Sequence, residues 1–169
     1  MATGRPYNIG MPSGVRVVKA EDHIATRVAI PPIPGVGRHL REDLTQRGFK
    51  DQGDGTIVRE RNGVRTTMNP DDGSLRVEAD GEMEVPPGPG GGCGCRIKAE
   101  LAAANQATDD LQKQITGRLA KAIPAIGCEI EGAVHRASKK AVVEVAQGMG
   151  TVKRITEEKD GSMTVVVEA

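Results

Sequence analysis

The chain has 169 residues, 23 basic and 23 acidic side chains, one Tyr, one Phe and no Trp; this length suits one domain or two small, closely packed halves. The charge is even along the sequence, with 12 basic and 13 acidic residues before Gly92 and 11 and 10 after it, which together with the lack of aromatic stacking platforms disfavours nucleic acid as a partner. No apolar run approaches the ~20 residues of a membrane-spanning helix, the first residues lack a signal-peptide core, and three cysteines without an export signal point to a reducing, cytoplasmic setting rather than a disulfide framework.

Residues 1–12 are rich in Gly, Pro and Met and read as a tail. Arg27–Gly35 begins as a strand and is interrupted by prolines. Val36, Leu40 and Leu44 recur every four residues, which predicts a helix over Val36–Arg47 with Gly48 as its C-cap and Phe49 folded back on its end. "TIVRER" and "GVRTTM" flank Asn62-Gly63, a strong hairpin signal. "NPDDGS" supplies the next turn, and "SLRVEAD" alternates Leu75, Val77 and Ala79 with Arg76, Glu78 and Asp80, the pattern of a strand with one buried face. The expectation for this half, residues 13–85, is a three-stranded antiparallel meander with one helix packed on it.

Residues 86–92 read as a Pro/Gly connector. Beyond it, "CRIKAEL" reads as a short strand. Helical spacing then predicts one helix from Leu101 to about Ile123, stopped by Pro124, and a second from about Cys128 to Gln147. "TVKRITEE" and "SMTVVVEA" form a final hairpin around Lys159-Asp160-Gly161, with Met163, Val165 and Val167 toward the helices and Thr164 and Glu168 toward water. Val64–Ala79 aligns without gaps on Val152–Val167, so the second half, residues 93–169, is expected to be related to the first. The fold class is α+β, antiparallel hairpins packed against helices.

Two clusters carry candidate chemistry. Cys93 and Cys95 are thiols one residue apart, a spacing that clamps a soft metal or forms a strained disulfide; only Cys128, His23, His39 and His135 are available to complete a metal site, and none has paired spacing. Arg136, Lys139 and Lys140 share a helix face suited to an acidic partner. The glycine run lacks both the Gly-Lys-Ser/Thr ending of a phosphate loop and the spacing of a dinucleotide loop, so no cofactor is expected. No Gly-x-Ser-x-Gly or other catalytic constellation is present.

The segment "KKAVVEVAQGMGTVKRITEEKDGSMTVVVEA" resembles the end of the hypothetical chloroplast reading frame thirty-five family through Ala141–Gln147, Gly150, Asp160-Gly161-Ser162 and Val165–Val167. "RHLREDLTQRGF" resembles that family's opening helix. Similar accessory proteins occur in bacterial gene sets built around an AAA ATPase, among them the FtsH ternary systems. The resemblance implies an accessory protein working beside an ATPase, and it brings no catalytic residues with it. The leading expectation is therefore a non-catalytic cytoplasmic adaptor that binds another protein, plausibly an AAA ATPase. The alternative is a thiol protein using Cys93 and Cys95.

Overall fold

Alternating apolar and polar residues build a five-stranded antiparallel sheet, and one long amphipathic helix covers it. The computed structural model describes residues 16–86 and 93–168, with side chains from residue 17 in the first stretch and 98 in the second. The expected tail, residues 1–12, and connector residues 87–92 lie outside the described residues. The elements are β1 (Arg16–Arg27), α1 (Val36–Gln46), β2 (Lys50–Asp51), β3 (Ile57–Arg61), β4 (Val64–Met68), β5 (Ser74–Val85), α2 (Cys93–Met149), β6 (Thr151–Glu157) and β7 (Met163–Glu168). The sheet order is β1-β5-β4-β3-β2, and β6 and β7 form a separate hairpin.

The expected meander is β3–β4–β5. Asn62 and Gly63 both have positive φ, 56° and 68°, as a tight two-residue hairpin turn requires. Leu75, Val77 and Ala79 are buried and pair across β4 with Met68, Thr66 and Val64. α1 buries Val36, Leu40 and Leu44. Past its end Gly48 takes φ 92°, and the Phe49 N–H donates to the Leu44 carbonyl at 3.1 Å, tucking the Phe49 ring into the core.

The sheet is wider than the meander. The strand expected to begin at Arg27 in fact ends there: β1 pairs along the whole of β5, from Arg16 opposite Val85 to Arg27 opposite Ser74. Its charged sequence and half-exposed apolar residues, Val17 and Ile24, conceal it, as is usual for an edge strand. The Val28 N–H donates to Gly73 O at 2.8 Å where β1 meets the β4–β5 turn. Gly73 has φ 75°, and a Cβ there would lie 2.1 Å from the Val28 carbonyl oxygen, so only glycine fits this junction.

The second half differs from expectation in two places. Residues in "CRIKAEL" are helical, and Pro124 lies inside a single helix of 57 residues. The reason is burial. Leu111, Ile115, Leu119, Ile126, Ile130, Ala133, Ala137 and Ala141 are all buried in the one core that both halves share. Their spacing keeps the phase of one helix face across the proline. Pro124 and Ala120 are exposed, so the Ala120 carbonyl that Pro124 leaves without its helical donor is open to hydration. Where α2 crosses β5, a Cβ on Gly81 would lie 3.2 Å from Leu111 Cδ1 and 3.3 Å from Ile115 Cδ1; the missing side chain lets helix and sheet approach.

In the β6–β7 hairpin Met163, Val165 and Val167 are half-buried while Thr164 and Glu168 are exposed, the expected facing. Lys139 of α2 holds Glu157 of β6 in an ion pair. The two Asp-Gly-Ser turns match in detail: Asp72 and Asp160 accept the Ser74 and Ser162 N–H at 2.7 and 2.9 Å.

Because Pro124 sits on the exposed side of a continuous helix, Pro124→Ala is expected to stabilise the fold by about 1–3 kcal/mol, proline being ~3 kcal/mol worse than alanine inside a helix. Urea unfolding followed by circular dichroism measures this. An unchanged midpoint would mean that the helix is interrupted at Pro124 and that its two parts pack independently.

Candidate partner-binding surface

Ile57, Arg59 and Arg61 alternate along β3, so the burial of Ile57 turns both arginines toward α2. On the helix Arg118, Lys121, Ala122, Ala125, Ile126 and Glu129 follow the spacing of one face. Between these walls runs a groove of about 430 Å³, with Val64, Thr66, Ala122 and Ile126 among its lining residues.

One end of the groove is locked. Arg59 donates through both Nη atoms to the two oxygens of Glu129, each at 2.7 Å, and its guanidinium lies 4.5 Å from the Phe49 ring centre. This pair is mostly shielded from water, with side-chain exposures of 11% and 23%. The hydrogen bonds from Arg59 hold the Glu129 carboxyl below its usual range against the opposing effect of burial, and the charges of Arg59, Arg47 and Arg61 act in the same direction.

The other end is open and cationic. Arg61, Arg118 and Lys121 are exposed. Arg118 makes one long contact, Nη1 to the Asp80 carbonyl at 3.5 Å, and its guanidinium lies over the hairpin turn, where a Cβ on Gly63 would fall 2.8 Å from Nη1. The side chains of Arg61 and Lys121 make no hydrogen bond or ion pair among the described residues.

The cationic helix face expected from sequence is differently employed. Arg136 clasps Asp43 of α1, Nε to Oδ1 at 3.0 Å and Nη2 to Oδ2 at 2.9 Å, and Arg47 adds a third contact at 3.0 Å. Arg136 first, then Arg47, holds the buried Asp43 carboxyl below its ordinary value of 3.8. Lys139 is engaged with Glu157. Lys140 is exposed, beside a shallow depression that it shares with Arg38, His39 and Glu144, where Glu144 accepts from Arg38 at 2.6 and 2.7 Å and lies 2.8 Å from His39 Nε2.

Cys93 and Cys95 open α2, and their side chains lie outside the described residues. Cys128 is an exposed free thiol. Among the described residues no group of three His, Cys, Asp or Glu side chains is placed to hold a metal ion. The sequence conceals the groove's cations, because a helix break at Pro124 separates Arg118 and Lys121 from Ala125 and Glu129, whereas the continuous helix joins them on one face.

Residues 3–87 and 95–169 match the family model described as FtsH ternary system domain X5. The chain belongs to this family. It is thereby an accessory component of an FtsH/AAA protease gene system. No curated protein and no solved structure shows significant similarity to the chain. No described helix is long and apolar enough to cross a membrane.

The Asp43 clasp makes a stability prediction. Because the folded-state carboxyl ionises below 3.8, its contribution is present above that pH and is lost as pH falls through the lowered value. Asp43→Asn is expected to cost about 1.5–3 kcal/mol near neutral pH, the range for hydrogen bonds to charged groups. Urea unfolding at neutral and acidic pH should show a shallower acid loss in the variant than in the wild type. Parallel pH profiles would remove Asp43 from the acid response.

Proposed function

We propose that this chain is a non-catalytic, cytoplasmic adaptor that binds a protein partner, an AAA ATPase of its own FtsH ternary system. Family membership supports the setting, and one structural observation supports the binding role: Arg61, Arg118 and Lys121 stand exposed along a formed groove in a protein of zero formal net charge. Arg136 and Lys139 serve internal ion pairs, so of the face suggested by sequence Lys140 is the side chain left to reach a partner. Titration of the purified ATPase with this chain by isothermal calorimetry tests the reading. A complex of micromolar affinity that weakens as salt rises is expected, with no ATP hydrolysis or proteolysis by the isolated chain. Absence of a complex at low and physiological salt, or turnover by the chain alone, would overturn it.

A further inference from the structure

Resting on that reading, we infer that the groove between the β3–β4 hairpin and α2 binds an acidic, aliphatic-containing segment of the protein partner, and that Glu129 acts as an internal competitor for Arg59. The groove has the two components such a segment needs. Arg61, Arg118 and Lys121 supply three cations, and among the described lining residues only Glu129 offsets any of the positive charge. Val64, Ala122 and Ile126 supply apolar surface, and about 430 Å³ is room for a few side chains. Holding like charges together on two rigid elements is unfavourable until an anion arrives, which makes the site selective for carboxylates over neutral segments.

Arg59 adds a regulated contact. Its fork is already filled by the Glu129 carboxylate at 2.7 Å on both oxygens, the same bidentate arrangement that a glutamate or aspartate of the partner would adopt. An incoming carboxylate must therefore displace Glu129 or settle for the outer cations. Among the described lining residues no side chain is aromatic, so these residues offer no platform on which single-stranded bases stack. A peptide is favoured over nucleic acid.

The experiment uses the full chain and a fluorescein-labelled nonapeptide of repeated Glu-Glu-Leu, followed by anisotropy. A Lys-Lys-Leu peptide and an oligothymidylate serve as comparison ligands. The acidic peptide is expected to bind, and about a twofold to fivefold loss of affinity is expected for each cation removed, the scale of exposed charge pairs. Arg61→Glu/Lys121→Glu should abolish binding while leaving the thermal melt unchanged, because both side chains are exposed. Glu129→Gln keeps the shape, removes the competing charge and should tighten binding severalfold. Binding unaffected by the double reversal, or preference for oligothymidylate, would overturn the groove assignment; weaker binding by Glu129→Gln would overturn the competitor role. If the ATPase binds the double-reversal variant as well as the wild type, the groove inference fails and the adaptor reading stands. If the ATPase binds neither, the adaptor reading fails, whatever the peptide does.

Discussion

One apolar stripe on α2 must satisfy three partners in succession, and the rest of the molecule is arranged around that requirement. Leu111 and Ile115 lie over β5 at Gly81, where the lack of a side chain permits close approach. Beyond them, Ile126 borders the groove beside Arg59 and Val64 of the β3–β4 hairpin. Farther on, Ala133, Ala137 and Ala141 present a flat, small-residue face, and contacts from Arg136 and Glu144 reach across to α1. A helix broken at Pro124 would free its two parts to rotate, and the phase relation between sheet contacts and α1 contacts would be lost. The proline is tolerated because it and Ala120 face water, so its backbone defect falls where a carbonyl can be hydrated.

Ion pairs fix α2 against its neighbours: Lys139 to Glu157 ties it to β6, and the contacts to β3 and α1 are built on arginine. Arg59 to Glu129 ties it to β3; Arg136 to Asp43 and Arg38 to Glu144 tie it to α1. At Glu129 and Asp43 the planar guanidinium meets the carboxylate through two nitrogens, which specifies angle as well as distance. This matters in a core whose one buried aromatic side chain among the described residues is Phe49, because small aliphatic side chains alone restrain sliding weakly. Surface pairs would add little, but Asp43 is 11% and Arg59 11% exposed at the side chain. Removing a partner there leaves a charge poorly hydrated, which is why these contacts define register more than they add net stability.

The local signals were legible in the sequence. Asn62-Gly63 gave its hairpin, Val36, Leu40 and Leu44 gave α1, and Leu75, Val77 and Ala79 gave the inward face of β5, because turn chemistry and short periodicity act over a few residues. The misreadings share a cause. β1 carries Lys19, Glu21, Asp22 and His23, and its pairing depends on β5, 47 to 69 residues away. In α2 the local backbone sterics of Pro124 point to a helix end, whereas the periodicity through Leu119, Ile126 and Ile130 that keeps the helix whole depends on burial against distant elements. The candidate surface was the least legible part. Arg59 and Arg61 stand on one side of it and Arg118 and Lys121 on the other, and nothing in the spacing of either pair announces the other. Conversely, Arg136 and Lys139 look available in sequence because Asp43 and Glu157, which engage them, are distant in the chain.

The equal count of 23 acids and 23 bases therefore describes the molecule poorly, because folding sorts the charges by side. Residues of β3 whose side chains turn toward α2, Arg59 and Arg61, are basic, while Glu60 between them turns to the opposite face. There it joins Glu21, Glu78 and Asp80 around a shallow depression tempered by Arg65 and Arg76. Strand alternation alone produces this separation: with a period of two, an Arg-Glu-Arg sequence places opposite charges on opposite faces. The hairpin turn then determines how far the basic side extends. Gly63 meets the positive φ of the turn and, having no Cβ, leaves the space in which Arg118 lies. The residue that sharpens the turn thus also brings the charge of α2 up to that of β3, so the shape of the groove and its electrostatics arise from the same backbone feature.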